Sequence, residues 1–246
     1  MNTQVFATEI LVICGSAASW IVDKVIDNYG GLHNRLTRQV YLRPFTLHEC
    51  EELVRAKGIV FNRRQILECY MIMGGVPYYW DLLDKGLGLA QNIDALFFRQ
   101  KGELGEEYDH LAYSLPGKAV RDCIYQKHED QIKRKLGISG VVTRTYGWRY
   151  IADRSEDGEG AQVDLVLDRN DRVVNICEVK YRRGEETYAI SDDEGRNLMN
   201  KREAYIRDTG TTSAVHLTMV TVNGVRHNAA WNDIQSEVTL DDLFKE

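Results

Sequence analysis

The chain has 246 residues with a formal net charge of −6, 43% hydrophobic and 28% charged residues, the profile of a globular protein with one large domain or two small ones. The net acidity argues against a protein that coats DNA through bulk charge, although a local basic groove is compatible with it. Five scattered cysteines without a CxxC pair, and six histidines without HExxH spacing, argue against structural or catalytic zinc and fit a reduced, cytoplasmic protein.

In chain order, Glu9 to Ser16 forms an apolar strand with a small polar tip, followed by a helix that Ser19 caps and Gly30-Gly31 ends. The apolar run from Ile10 to Val22 is too short to span a bilayer, and Glu9 stands where a signal peptide would carry a cation. No membrane segment is expected. Thr46-Leu-His-Glu49 is a capping box opening a helix that stops before Gly58. A second helix runs from about Arg63 to Met73 and ends at Gly74-Gly75, and shorter helices fill Pro77 to Phe98.

Residues 118 to 135 have helical spacing up to Gly137. A charged, glycine-bearing loop, Asp153 to Gly160, precedes two short strands joined by a polar turn, Gly160 to Arg169 and Val173 to Tyr181. A further helix spans about 187 to 207 and is stopped by Gly210; Ala214 to Val222 reads as a buried strand ending at Asn223-Gly224. Lys201, Arg202 and Arg207 give that helix either a phosphate-facing side or an ordinary solvated basic face. Strands interleaved with helices predict an α/β fold with a mixed sheet flanked by helices.

The two-strand unit carries the chemistry. Side chains alternate along a strand, so Glu178 and Lys180 share a face, about 6.6 Å apart, with Val174 and Ile176 continuing the row. A two-residue turn would set Asp164 against Cys177, whereas a three-residue loop, Asn170 to Arg172, pairs Asp164 with Glu178; a slip of one residue changes the face. An odd-length loop or a bulge is therefore predicted. Two carboxylates about 4 Å apart repel by about 4 kcal/mol at an effective dielectric near 20, and need a cation or a shared proton. An all-oxygen pair suits Mg²⁺, which would polarise a phosphodiester and activate water while Lys180 steers the nucleophile or steadies developing charge. The alternative is a solvated hairpin edge.

From about Gly117 onward the chain resembles the PD-(D/E)XK nuclease superfamily, in the form that closes a group of prokaryotic AAA-type ATPases. The similarity rests on Gln131 to Ile138, Gly160-Ala-Gln-Val-Asp164, Cys177-Glu-Val-Lys180 and Glu237 to Phe244. It implies a restriction-endonuclease-like domain at 116–246, with Asp164 and Glu178 as metal ligands, Lys180 assisting catalysis, and DNA as a possible partner. Asp122 stands where a glutamate ligand is expected on the preceding helix; it is either a third ligand or a surface helix residue.

Residues 1–115 resemble the end of the ATPase module of the same family: Leu11 to Ser16 its sensor strand, with Asn34 to Phe45 and Gly74 to Tyr79 also in its pattern. Arg35 and Arg38 are then either phosphate-facing or surface ion-pairing residues. No Walker A motif is present: the only Gly-Lys, Gly117-Lys118, is followed by Ala119, and Ala112 stands at the first glycine position. ATP binding is not expected. The winged-helix spacer of the related ATPases is missing near Ser114 to Gly117, so the chain reads as a shortened relative or a fragment. An unpaired sheet edge in the N-terminal half would favour docking on a protein partner. Two functions remain open here: a Mg²⁺-dependent nuclease-like hydrolase, and a non-catalytic protein that docks on a partner ATPase.

Overall fold

The computed structural model describes residues 38, 40, 42–99, 102–104, 127–151, 160–182 and 184–246. The expected sensor strand and its helix, Arg35, Asp122 and the division between residues 115 and 116 lie outside them, and the elements below all belong to the compact unit Pro44–Glu246.

Helix α1 (Leu47–Ala56) opens on the capping box read from the sequence: Thr46 Oγ1 accepts from the Glu49 amide and Glu49 accepts from the Thr46 amide. Helix α2 (Arg63–Met73) has the same device in Asn62 and Gln65 and ends at Gly74, whose positive φ no β-carbon hinders. Two one-turn helices follow, α3 (Pro77–Asp81) and α4 (Leu89–Ile93), the second running into a π-turn over Asp94–Phe98. Helix α5 (Glu129–Lys135) completes this helical layer.

Five strands form one sheet among the described residues: β1 (Thr143–Tyr150), β2 (Ala161–Arg169), β3 (Val173–Lys180), β4 (Ala214–Thr221) and β5 (Ser236–Thr239), in that spatial order. β1, β2 and β3 are antiparallel neighbours, whereas β3–β4 and β4–β5 are parallel. The mixed sheet and its flanking helices are those expected. Parallel pairing of β3 with β4 needs a crossover, which helix α6 (Asp192–Thr209) supplies. A final turn, α7 (Leu240–Leu243), closes the chain.

Alternation along the strands divides the core in two. Val166, Val174, Ile176, Leu217 and Met219 pack with Leu198 and Tyr205 of α6 on one face. Leu165, Leu167, Cys177 and Val179 pack on the other with Leu67 of α2, Ile132 of α5 and Phe244. The sheet is thus covered on both faces, which is why β3 is buried nearly throughout.

Two strands were not anticipated. In β1, Thr-Arg-Thr-Tyr-Gly-Trp-Arg-Tyr alternates polar and aromatic residues instead of presenting an apolar run, and β5 is only four residues long. Helix α6 also begins later than expected, at Asp192 rather than near 187, because Ser191 and Glu194 form a capping box while Tyr188 bridges to Val225.

Candidate functional site

The β2–β3 register is the one that the site required. Leu165 pairs with Cys177 and Asp168 with Val174, leaving Asn170, Asp171 and Arg172 as a three-residue loop. Arg172 closes it in the left-handed region at φ 65°, the conformation that turns a type I bend back into a strand. Glu178 and Lys180 consequently share the α6-facing side of β3 with Val174 and Ile176, as expected.

The β2–β3 ladder stops at Leu165–Cys177. Beyond that point Ala161, Gln162 and Val163 pair only with β1, and Glu178 to Lys180 pair only with β4. The β2–β3 pairing therefore ends one residue short of Asp164 on β2 and Glu178 on β3. Asp164 and Leu165 also form a bulge opposite the single residue Gly147, so Val163 and Val166 both reach the α6-facing core. A bulge re-aims the side chains within it. Asp164 is half-buried at this bulge, where simple alternation no longer dictates its direction.

Glu178 is 9% exposed and both its oxygens are matched by ammonium groups. Lys180 Nζ is 3.2 Å from Oε1, and Lys201 Nζ donates to Oε2 at 2.6 Å. Lys201 comes from α6, where Glu194, Leu198, Lys201 and Tyr205 fall at helical spacing along one face. The solvated basic face is therefore wrong for Lys201, whose side chain points to the sheet. Arg207 lies outward, its guanidinium 5.8 Å from the centre of the Tyr150 ring.

Glu194 adds a second acid that sequence reasoning missed. Its Oε1 is 3.7 Å from Lys180 Nζ and accepts from the Tyr188 hydroxyl, while Oε2 accepts from the Ser191 amide at 3.1 Å. Burial pushes the Glu194 carboxyl up, but the Tyr188 and Ser191 hydrogen bonds and nearby Lys180 outweigh it, so its pKa falls below the ordinary range. Burial and this same carboxylate push the Tyr188 phenol up. Spacing carries the missed signal: a lysine between Leu198 and Tyr205 on a buried helical face needs a buried acid as partner.

The N-terminal helical layer braces the segment after Lys180. The Tyr181 hydroxyl donates to Glu68 of α2 at 2.8 Å, and Arg64 donates to the Gly184 carbonyl. Cys177 lies on the opposite face from Glu178, where burial pushes its thiol up to about 12, which removes it as a nucleophile near neutral pH. Cys50 and Cys69 are also buried free thiols.

Among the described residues no group of three or more histidine, cysteine, aspartate or glutamate side chains is arranged to hold a metal ion. Asp164 and Glu178, the oxygen donors named from the sequence, directly adjoin the last β2–β3 pair, and Mg²⁺ is commonly held by one or two carboxylates with water completing the shell. The donor set fits such an ion in type. None of the described helices is long and apolar enough to cross a membrane.

No family model, curated protein or solved structure matches this chain.

Proposed function

We propose that residues 116–246 are a restriction-endonuclease-like domain that hydrolyses phosphodiester bonds in DNA, joined to a segment that resembles the end of an AAA-type ATPase module. The observation that supports the reading is the three-residue turn Asn170–Arg172, the register that, continued one residue past the last pair Leu165–Cys177, would set Asp164 opposite Glu178. Glu178 and Lys180 stand at the carboxyl end of β3, beside the parallel strand β4, the end at which open α/β sheets bind ligands.

In this reading Asp164 and Glu178 hold Mg²⁺, which when bound polarises the phosphodiester and lowers the pKa of a coordinated water. Asp122, outside the described residues, remains a proposed third ligand. Lys180, beside Glu178 at 3.2 Å, steadies charge that develops on the phosphate. Glu194 and the Tyr188 hydroxyl fix where that ammonium sits, as supporting hydrogen bonds orient a catalytic group. The α2 contacts to Tyr181 and Gly184 hold the segment that follows it.

One observation favours a second reading. Each oxygen of Glu178 already has a lysine partner, so the cluster is electrically complete without a ligand, as a purely structural network in an interaction protein would be. Incubation of the chain with supercoiled and linear DNA in Mg²⁺ or Mn²⁺ separates the two. Cutting by the parent that is absent in Glu178→Gln supports hydrolysis; intact DNA with a folded parent supports the interaction protein.

A further inference from the structure

We infer that Lys201 is a built-in counter-ion that competes with a divalent cation for Glu178, so that loading of the site requires this lysine to let go. The inference rests on the metal-dependent reading above and adds its control.

Charge and position both lead there. Glu178 and Glu194 supply two negative charges; Lys180 and Lys201 supply two positive ones, linked in a chain of contacts at 2.6, 3.2 and 3.7 Å. The cluster is balanced without a metal, and a divalent cation added to it meets two ammonium groups on the same carboxylate. Of these, Lys180 is held on its far side by Glu194, whereas Lys201 pairs with Glu178 alone among the described residues. A lysine head rides on a flexible four-carbon stem, so it can leave Oε2 without moving α6. The register neighbour of Lys180 on β4 is Thr221, 5% exposed, and its hydroxyl has no hydrogen-bond partner among the described residues. Parallel neighbours share a sheet face, so a buried unpaired polar group adjoins the charged cluster. Such groups in native folds call for an explanation, and water brought in with a hydrated ion provides one.

The test is Mn²⁺ binding to the full chain, followed by titration calorimetry and by the electron paramagnetic resonance of free Mn²⁺. Lys201→Met keeps the apolar stem and removes the charge, and Lys201→Gln serves if the methionine variant folds poorly. Loss of a charged hydrogen bond that competes with the ion is expected to tighten binding about ten- to a hundredfold. Lys201→Arg should bind as weakly as the parent, and Glu178→Gln should lose the site. Equal or weaker Mn²⁺ binding by the folded Lys201 variants, with binding still lost in Glu178→Gln, overturns the counter-ion role and leaves the metal site standing. Binding that is indifferent to Glu178→Gln overturns the metal site and the counter-ion role together.

Discussion

Lys201 of α6 donates to Glu178 of β3 at 2.6 Å, joining the crossover helix to the carboxyl end of the central strand through two part-buried charges. Removal of Lys201 leaves Glu178 with only Lys180, the more exposed of its two cations, so a largely buried carboxylate loses its closer partner, the costly direction of such a change. Lys201→Ala is expected to cost about 3 kcal/mol in urea unfolding. Lys180 is twice as exposed, at 29% against 14%, so Lys180→Ala should cost only about 1 kcal/mol. Equal losses would show that exposure does not rank the two contacts.

Acid should weaken the fold at the chain's end. Burial pushes the Asp242 carboxyl up, but hydrogen bonds from Lys245, from the Thr239 amide and hydroxyl, and from Lys135 outweigh it and hold its pKa well below the carboxylate range. A depressed folded pKa means that its stabilisation is whole above the unfolded value, about 4, and declines as pH falls from there through the folded value. Asp242→Asn should cost about 1–3 kcal/mol at pH 7, and the gap from the parent should narrow in melts below pH 4. A constant gap down to pH 2 would contradict this assignment.

Gly75 is fixed by close approach. A β-carbon there would lie 2.1 Å from the Phe45 carbonyl oxygen, and the Phe45 amide donates to the Gly75 carbonyl at 2.7 Å. Both clashing groups are backbone, so relief requires the start of α1 to shift away from the end of α2. Gly75→Ala is expected to cost about 2–3 kcal/mol, measured by thermal unfolding; a change below the scatter of surface substitutions would show that this junction is loose.

Arg172 occupies a left-handed conformation in the turn that sets the β2–β3 register. L-residues other than glycine pay about 1–2 kcal/mol there, partly offset by the greater entropy that glycine loses on folding. Arg172→Gly should therefore leave stability unchanged or raise it by up to about 1 kcal/mol, whereas the β-branched Arg172→Val should lower it.

The mixed sheet, the α1 capping box, the glycine end of α2 and the odd-length turn were legible because each has a local signature. Thr46-x-x-Glu49 satisfies its own helix end, and the charges at Asp164 and Glu178 make only one hairpin register chemically useful. β1 was not legible, since its half-exposed aromatic row takes meaning from Tyr205 and Asp208 on a distant helix: the Tyr146 and Tyr205 hydroxyls meet at 2.7 Å, and Trp148 donates to Asp208 at 2.9 Å. Of the site, Glu178 and Lys180 were found through strand alternation, which is local. Glu194 and Lys201 were missed as its partners because their link to Glu178 crosses the sheet–helix interface. Asp164 is the residue for which register predicts more than a bulged strand can promise.

Cleavage of supercoiled DNA by the parent chain, Asp164→Ala and Lys180→Ala, each assayed with Mg²⁺, Mn²⁺ and chelator, tests the central claim most directly. The account predicts metal-dependent nicking by the parent that both substitutions abolish while the melting profiles show all three proteins folded. Intact DNA with the folded parent, or nicking unchanged in the two variants, would contradict it.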